Sequence, residues 1–246
     1  MLLEDTFLIE TGIMLFLGLS FYIPLSAGLL NASTAGFMAI GAYTSALLVD
    51  RGQSLPIAIG AALLLALVGG ALVASLGVRL SGFGLAIVTI GLAEITRVTL
   101  NNLSFTGGAL GLTGIPLRTT IALVYVPLVV VIIVLLRLES GRVGRSLAAM
   151  RVDLPSADAL GVPTLWYRWL TIALSGSLAA YAGAMEAFYV GFLEPSYFNF
   201  ALLVGVATAV VLGGRTTVWG PVAGILFVQI VPEFLRFLIQ WRQSAY

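Results

Sequence analysis

Long runs of apolar residues, separated by short polar breaks, fill almost the whole chain. Residues 11–49 contain no charged side chain, which is too long a run for one membrane helix of about 20 residues and about right for two. The polar residues 31–34 form the natural turn between them. Six further apolar runs predict spans at 55–78, 83–100, 119–136, 169–190, 199–212 and 218–235.

These runs predict helices, because backbone polar groups cannot stay unpaired in lipid and because the apolar residues are continuous and do not alternate. The chain starts with the acidic residues Glu4 and Asp5 and shows no cleavage signal, so we expect the first run to be a span. The prediction is an all-α integral membrane protein: a polytopic bundle of about eight transmembrane helices in a single domain over residues 1–246.

Composition supports the same class. Hydrophobic residues make up 60% of the chain and charged residues 9%, with a mean hydropathy of +1.08. Soluble domains average roughly 45–50% apolar and about 25% charged residues. A chain this apolar needs lipid, and not water, around its surface.

Several kinds of chemistry are excluded by missing residue types. The chain has no cysteine and no histidine, and all 12 basic residues are arginine. The usual zinc, haem and thiol sites therefore lack ligands, and no lysine is present for a Walker-type phosphate site. We expect no metal or cofactor on this chain, and any ATP that drives it must be hydrolysed by another protein. The net charge of +1 gives no reason to expect nucleic acid as a partner.

The arginines predict the orientation of the chain. If residues 138–168 form a cytoplasmic loop, seven arginines flank spans on the inside and two, Arg51 and Arg118, on the outside. Such an excess of arginine is typical of cytoplasmic loops and places the N-terminus outside. The seven inner arginines are Arg79, Arg137, Arg142, Arg145, Arg151, Arg168 and Arg215.

Small residues repeat every four positions in two of the spans. Gly176 and Ala180 form one such row, Gly183 belongs to a neighbouring row, and Gly220 and Gly224 form a G-x-x-x-G motif. Rows of this kind allow helix backbones to approach closely within lipid. We predict that they mediate helix packing.

Within the predicted cytoplasmic loop, proline and glycine delimit a short helix. Pro155 suits a first helical turn, Gly161 suits the position just past a helix end, and Pro163 prevents continuation. Such a helix suits docking into a cytoplasmic motor that must push on the membrane part. A solvated loop whose arginines only fix the topology is the alternative, and these residues alone leave both open.

Four blocks of sequence resemble those of LivM-type permease subunits of branched-chain amino acid ABC transporters. They are residues 35–43, residues 86–116 with Thr-Gly-Gly at 106–108, residues 144–162 with Gly-Arg-Ser-Leu-Ala-Ala-Met-Arg at 144–151, and residues 212–224. The resemblance implies import of branched-chain amino acids across the bacterial inner membrane without catalysis by this chain. It also implies two ABC ATPase subunits, a second, LivH-like permease, and a periplasmic or lipid-anchored substrate-binding protein.

On this resemblance residues 138–168 are a coupling loop for the ATPase subunits. The residues that we expect to contribute are Arg142, Gly144, Arg145, Ala148, Arg151, Asp158, Ala159, Leu160 and Gly161.

Two groups of residues are candidates for the translocation pathway. Glu94 and Arg97 lie three residues apart in a predicted span, where charges face a pore, a partner or each other. A salt bridge that only holds the bundle together is the alternative. Glycine-rich backbone at 106–116 could line a water-filled cavity or form an outer loop that receives the binding protein. Its candidate residues are Thr106, Gly107, Gly108 and Gly111.

Two other functions fit parts of the pattern. A related importer for urea, short amides or simple sugars would share most of it. An ion-coupled secondary transporter would need acidic residues in the middle of several spans, and Glu94 is one good candidate.

Overall fold

A computed structural model describes residues 2–77, 80 and 82–244, with backbone only for residues 2–4 and 235–244. The predicted inner position of Arg79 therefore falls outside the described residues. Ten α-helices form within the described ranges. They are α1 (Leu2–Ser26), α2 (Thr34–Asp50), α3 (Leu55–Leu76), α4 (Phe83–Asn102), α5 (Ile121–Ser140), α6 (Arg142–Val152), α7 (Leu154–Ala159), α8 (Thr164–Val190), α9 (Phe200–Gly213) and α10 (Trp219–Ser244).

Eight of these helices, all except α6 and α7, overlap the eight predicted spans, although α1 begins at Leu2, ahead of the predicted start at residue 11, and α10 extends past residue 235. In the described part of the chain, five segments are long and apolar enough to cross a membrane. They are the Asp5–Ser26 part of α1, the helices α3, α4 and α5, and Pro195–Gly213, which contains α9. Helix α2 and the Trp219–Phe234 part of α10 are shorter apolar helices. The all-α membrane class is confirmed with five candidate spans, and the number of eight stays a prediction.

Helix α8 lies at the centre and packs against α1, α2 and α3. Its small residues lie at these contacts. A Cβ on Gly176 would lie 3.1 Å from the carbonyl oxygen of Ala66, and one on Gly183 would overlap the carbonyl oxygen of Met38. Ala180 in turn lies against Gly41, which has no room for a Cβ. Short side chains are therefore what brings the α2 and α8 backbones into contact.

Helices α9 and α10 form a close hairpin built in the same way. A Cβ on Gly220 would overlap the carbonyl oxygen of Gly214, and a Cβ on Gly224 would overlap that of Ala209. The G-x-x-x-G motif thus lies in direct contact with α9 and the residue after it.

The connection between α1 and α2 is buried. Asn31 and Ser33 are 1% and 2% exposed, and the Asn31 Oδ1 accepts a hydrogen bond from the Ser33 hydroxyl at 2.7 Å. The backbone N–H of Ala32 donates to the Thr89 Oγ1 of α4 at 2.9 Å. These bonds supply partners to backbone and side chains that water does not reach.

A short two-stranded sheet joins two loops at the other end of the bundle. Strand β1 (Leu112–Thr113) pairs antiparallel with β2 (Phe192–Leu193). It ties the glycine-rich loop after α4 to the loop after α8. The rest of residues 103–120 is irregular or forms single 3₁₀ turns, as the sequence predicts.

Candidate functional site

Helix α7 has a defined start and end. The Asp153 carboxylate accepts a hydrogen bond from the backbone N–H of Ser156 at 3.2 Å, which caps the helix at its first turn. Gly161 follows its end with φ of +80°, a conformation that favours glycine. The Asp158 carboxylate accepts a hydrogen bond from the Thr164 hydroxyl at 2.9 Å, which joins α7 to α8. A short helix thus lies where the sequence predicts one, and its role as a coupling helix stays a prediction.

Helix α6, Arg142–Val152, is not among the elements that the sequence predicts for the loop at 138–168. Gly144 is in direct contact with the backbone of Glu139, so α6 turns tightly from the end of α5. Arg142 and Arg145 are exposed, and Met150 is buried. This contrast between two faces of one helix is a signal that could have revealed it.

Both short helices pack onto the ends of the long ones. Met150 of α6 and Ala157 of α7 belong to a buried apolar cluster with residues from α3, α4, α8 and the α1–α2 connection. The other members are Ala27, Leu29, Ala74, Leu85 and Ile172. Among the predicted coupling residues, Ala159, Leu160 and Gly161 are exposed, and Ala148 is half-buried. A force on α6 or α7 would therefore reach several long helices at once.

Two arginines anchor this end of the bundle to backbone carbonyl groups. Arg151 donates from Nη1 to the carbonyl oxygen of Arg215 at 3.0 Å, in the turn between α9 and α10. Arg168, 6% exposed, donates from Nη2 to the carbonyl oxygens of Gly77, at 3.4 Å, and Leu80. In the sequence Arg168 counts only towards orientation, because nothing in its neighbours indicates partners 91 and 88 residues away.

A cavity of about 260 Å³ lies between α1, α5, α6, α8 and the residues just before α10. Its wall is mostly apolar, with Glu139, Arg145 and Arg151 among the polar exceptions. Glu139 is held by the backbone N–H of Val218, which donates to its Oε2 at 3.2 Å. The sequence does not predict this cavity, since its wall comes from segments far apart in the chain.

Glu94 and Arg97 form an ion pair on α4. The Arg97 Nε lies 3.1 Å and 3.0 Å from the two carboxylate oxygens of Glu94. The side chains are 49% exposed for Glu94 and 27% for Arg97. Glu94 lies eleven residues into the helix, roughly 17 Å from its start at 1.5 Å per residue. A charged pair is thus exposed on this chain close to the middle of a candidate span.

The glycine-rich loop begins at the end of α4. The Thr106 hydroxyl is buried and lies 2.7 Å from each of the carbonyl oxygens of Leu100 and Leu103, so it closes the helix end. Gly107, Gly108 and Gly111 all have positive φ, at 82°, 55° and 78°. A Cβ on Gly111 would overlap the carbonyl oxygen of Leu193, so this glycine lies against β2.

The structure brings the predicted site residues together in separate groups. The coupling residues lie at one end of the bundle with the cavity and Arg168. The glycine-rich loop lies at the other end, where it packs on the loop after α8, and the Glu94–Arg97 pair lies between the two ends on α4.

Comparison with known proteins shows which family this chain resembles. The family model of the branched-chain amino acid transport system permease component matches residues 4–246. The high-affinity branched-chain amino acid transport system permease protein LivM of Escherichia coli (strain K12) is 32% identical over 91% of this chain and 61% of its own length. LivM of Salmonella typhimurium (strain LT2) is 31% identical over the same shares.

The chain spans about three fifths of the length of these relatives. No solved structure matches it. With a match that covers nearly every residue, the chain belongs to the family of branched-chain amino acid transport system permease components.

Proposed function

We propose that this chain is the membrane-spanning permease subunit of an ABC importer that moves branched-chain amino acids into the bacterial cell. The observation that carries the proposal is the family match over residues 4–246. The chain binds no nucleotide or metal of its own, and ATP and Mg²⁺ are bound by partner subunits.

In this proposal all eight long helices cross the inner membrane, with the N-terminus outside. The distribution of segments between the two ends supports this topology. The turn after α3, helices α6 and α7 and the α9–α10 turn meet at one end, through the hydrogen bonds of Arg151 and Arg168. This end carries the predicted excess of arginine, and the β1–β2 pair marks the other.

Coupling to ATP hydrolysis takes place through residues 138–168. Helix α7 presents exposed residues at its C-terminal end, among them Leu160, which is 82% exposed. Leu160 would give this end of the helix an apolar contact for a groove on a cytoplasmic partner. Because α6 and α7 pack on the α1–α2 connection and on the ends of α3, α4 and α8, movement of the ATPase subunits tilts these helices and alternately opens the two sides of the pathway.

The pathway runs along the exposed side of α4. An ion pair near mid-membrane is costly against lipid and is therefore expected to face a water-filled path or another protein chain. A second, LivH-like permease covers this side of α4 in the complete transporter. The glycine-rich loop and the β1–β2 pair then face the substrate-binding protein at the outer end.

The test is affinity purification of the chain from its native membrane in mild detergent, followed by uptake measurements in vesicles. We expect two ATPase subunits, a second permease and lipid to accompany it, and leucine uptake that needs both ATP and the binding protein. Uptake of urea or a sugar in place of leucine would move the chain to the related importers. Transport by the single chain without ATPase subunits would overturn the proposal in favour of a secondary transporter.

A further inference from the structure

The cavity enclosed by α6 and the ends of α1, α5 and α8 has no part in the proposed pathway along α4. We propose that it is a binding site for a free amino acid with an apolar side chain, entering from the cytoplasm. The inference rests on the proposed function for its orientation and for the identity of the ligand. It adds a site at which the imported solute acts back on the transporter.

The size of the cavity suits a small solute. Its volume of about 260 Å³ lies just below the range of roughly 300–1,000 Å³ that is typical of pockets for drug-sized ligands. A molecule the size of a free amino acid can enter such a space with few accompanying waters.

The wall offers an apolar surface over most of its area. Leucine side chains contributed by α5, α6 and α8 form this surface, namely Leu135, Leu138, Leu147, Leu170 and Leu174. An aliphatic side chain placed among them leaves water for an apolar environment, which is favourable in proportion to the area buried.

Opposite charges stand at the polar side of the same cavity. The Glu139 carboxylate and the Arg151 guanidinium both line it, together with Tyr22 and Arg145. Within the described part of the chain, no ion pair joins Glu139 to Arg151. Each therefore keeps bonding capacity for a ligand, an ammonium group on Glu139 and a carboxylate on Arg151.

Existing hydrogen bonds hold both charges in place without using them up. Glu139 accepts from Val218 through Oε2, and Arg151 donates to Arg215 through Nη1. A carboxylate has two oxygens with about four acceptor sites, and a guanidinium has five N–H donors. The second carboxylate oxygen and the other guanidinium N–H groups stay available.

This combination favours a zwitterion over other small ligands. A phospholipid phosphate would meet Arg145 and Arg151, but it would bring no cation to Glu139 and would be repelled by it, whereas a zwitterion offers a charge of the right sign to each. Urea would find hydrogen-bond partners but would leave the leucine surface without contact. An amino acid with an aliphatic side chain matches both parts of the wall.

An amino acid bound in this cavity would directly affect the coupling of the permease to the ATPase subunits. Gly144, Arg145, Ala148 and Arg151 of α6 line the cavity and also belong to the predicted coupling residues. A bound amino acid would tie α6 to α5 and α8 and so resist the movement that import requires. The site would thus slow import once the amino acid has accumulated in the cytoplasm.

The experiment uses the complete permease–ATPase complex without its binding protein, with radiolabelled L-leucine as the probe. We expect saturable binding to the wild-type complex. Glu139→Gln should weaken it about tenfold, since the amide can still accept from Val218 but no longer attracts an ammonium group. Leu174→Trp, which fills the cavity, should abolish it. Arg137→Gln, an exposed residue on the same helix outside the cavity, is the matched control and should leave binding unchanged.

A second readout separates this inference from the proposed function. In vesicles supplied with binding protein and ATP, internal leucine should slow uptake by wild type and slow it far less in Glu139→Gln. Normal ATP-dependent uptake without saturable binding to the wild-type complex would overturn the inference alone. Retention of a phospholipid that leucine does not displace would overturn it as well. An assembled complex that takes up no leucine would overturn the proposed function instead.

Discussion

Arg168 at the start of α8 donates a hydrogen bond to the carbonyl oxygen of Gly77, at 3.4 Å, just past the end of α3. The last carbonyl groups of a helix have no partner within the helix. The Gly77 carbonyl oxygen accepts from the backbone N–H of Leu80 at 2.9 Å, and Arg168 adds a second donor from a helix that packs against α3.

We expect Arg168→Met to destabilise the protein by about 1.5–3 kcal/mol, the usual contribution of a buried hydrogen bond to a charged group. The measurement is the temperature at which half of the detergent-solubilised protein is lost from the monodisperse peak. Arg137→Met, at an exposed position, is the control and should change little. Equal melting temperatures for the two variants would show that the Arg168 bonds contribute nothing to stability.

The contact between α8 and α2 leads to a second prediction. Gly183→Ala places a methyl group on the Met38 carbonyl oxygen, so the helices must separate, and overpacking of this kind costs about 1–3 kcal/mol. Gly60→Ala on α3 adds the same methyl group where nothing lies within 4 Å. Thermal stability should fall for the first variant and stay level or rise for the second. A Gly183→Ala protein as stable as Gly60→Ala would contradict this packing.

The exposed leucine after α7 tests the coupling surface. We expect Leu160→Arg to lower the amount of co-purified ATPase subunit about tenfold, because a charge would enter an apolar groove on the partner. Leu110→Arg, at an 88% exposed position at the opposite end of the chain, is the matched control. ATPase recovery unaffected by Leu160→Arg would remove this end of α7 from the interface.

Replacing Glu94 tests whether the Glu94–Arg97 ion pair serves transport or only stabilises the helix bundle. A half-exposed ion pair contributes only about 0–1 kcal/mol to stability in a water-accessible setting. We therefore expect Glu94→Gln to leave assembly intact and to lower leucine uptake about tenfold. Uptake is measured in vesicles, with complex recovery measured in parallel. If assembly fails and uptake per assembled complex is unchanged, the pair is structural.

In the glycine-rich loop, alanine at Gly107 can be compared with alanine at Gly114 as a control. An alanine at Gly107 would adopt an unfavourable positive φ and would also overlap the carbonyl oxygen of Gly111. An alanine at Gly114 meets the same φ cost, about 1–2 kcal/mol, but has open space around it. We expect Gly107→Ala to lower uptake much more than Gly114→Ala. Uptake and assembly at wild-type levels in Gly107→Ala would exclude a functional role for this turn.

The helices could be predicted from the sequence because every backbone polar group must be hydrogen-bonded within lipid. A run of about 20 apolar residues has few alternatives to a helix, and each predicted span overlaps one. The ends of α7 could be predicted as well, since Pro155 and Gly161 act through local backbone geometry.

Contacts between distant segments could not be predicted in this way. The bonds of Arg168 to Gly77 and of Val218 to Glu139 join residues 91 and 79 positions apart. No local pattern encodes such a pairing, so neither the role of Arg168 nor the cavity could be predicted. The β1–β2 pair was missed for a related reason, because two residues per strand are too few to show a period.

The packing of Gly28 limits how α6 can move. A Cβ on Gly28 would lie 3.0 Å from the Cα of Arg151, so main chain faces main chain here with no side chain between. Side chains can yield to pressure by changing rotamer, and a backbone contact cannot. Helix α6 is therefore already at its closest approach to the α1–α2 connection. Under the proposed coupling, the stroke begins with α6 moving away from this stop or sliding along it, which gives the motion a fixed direction from the start.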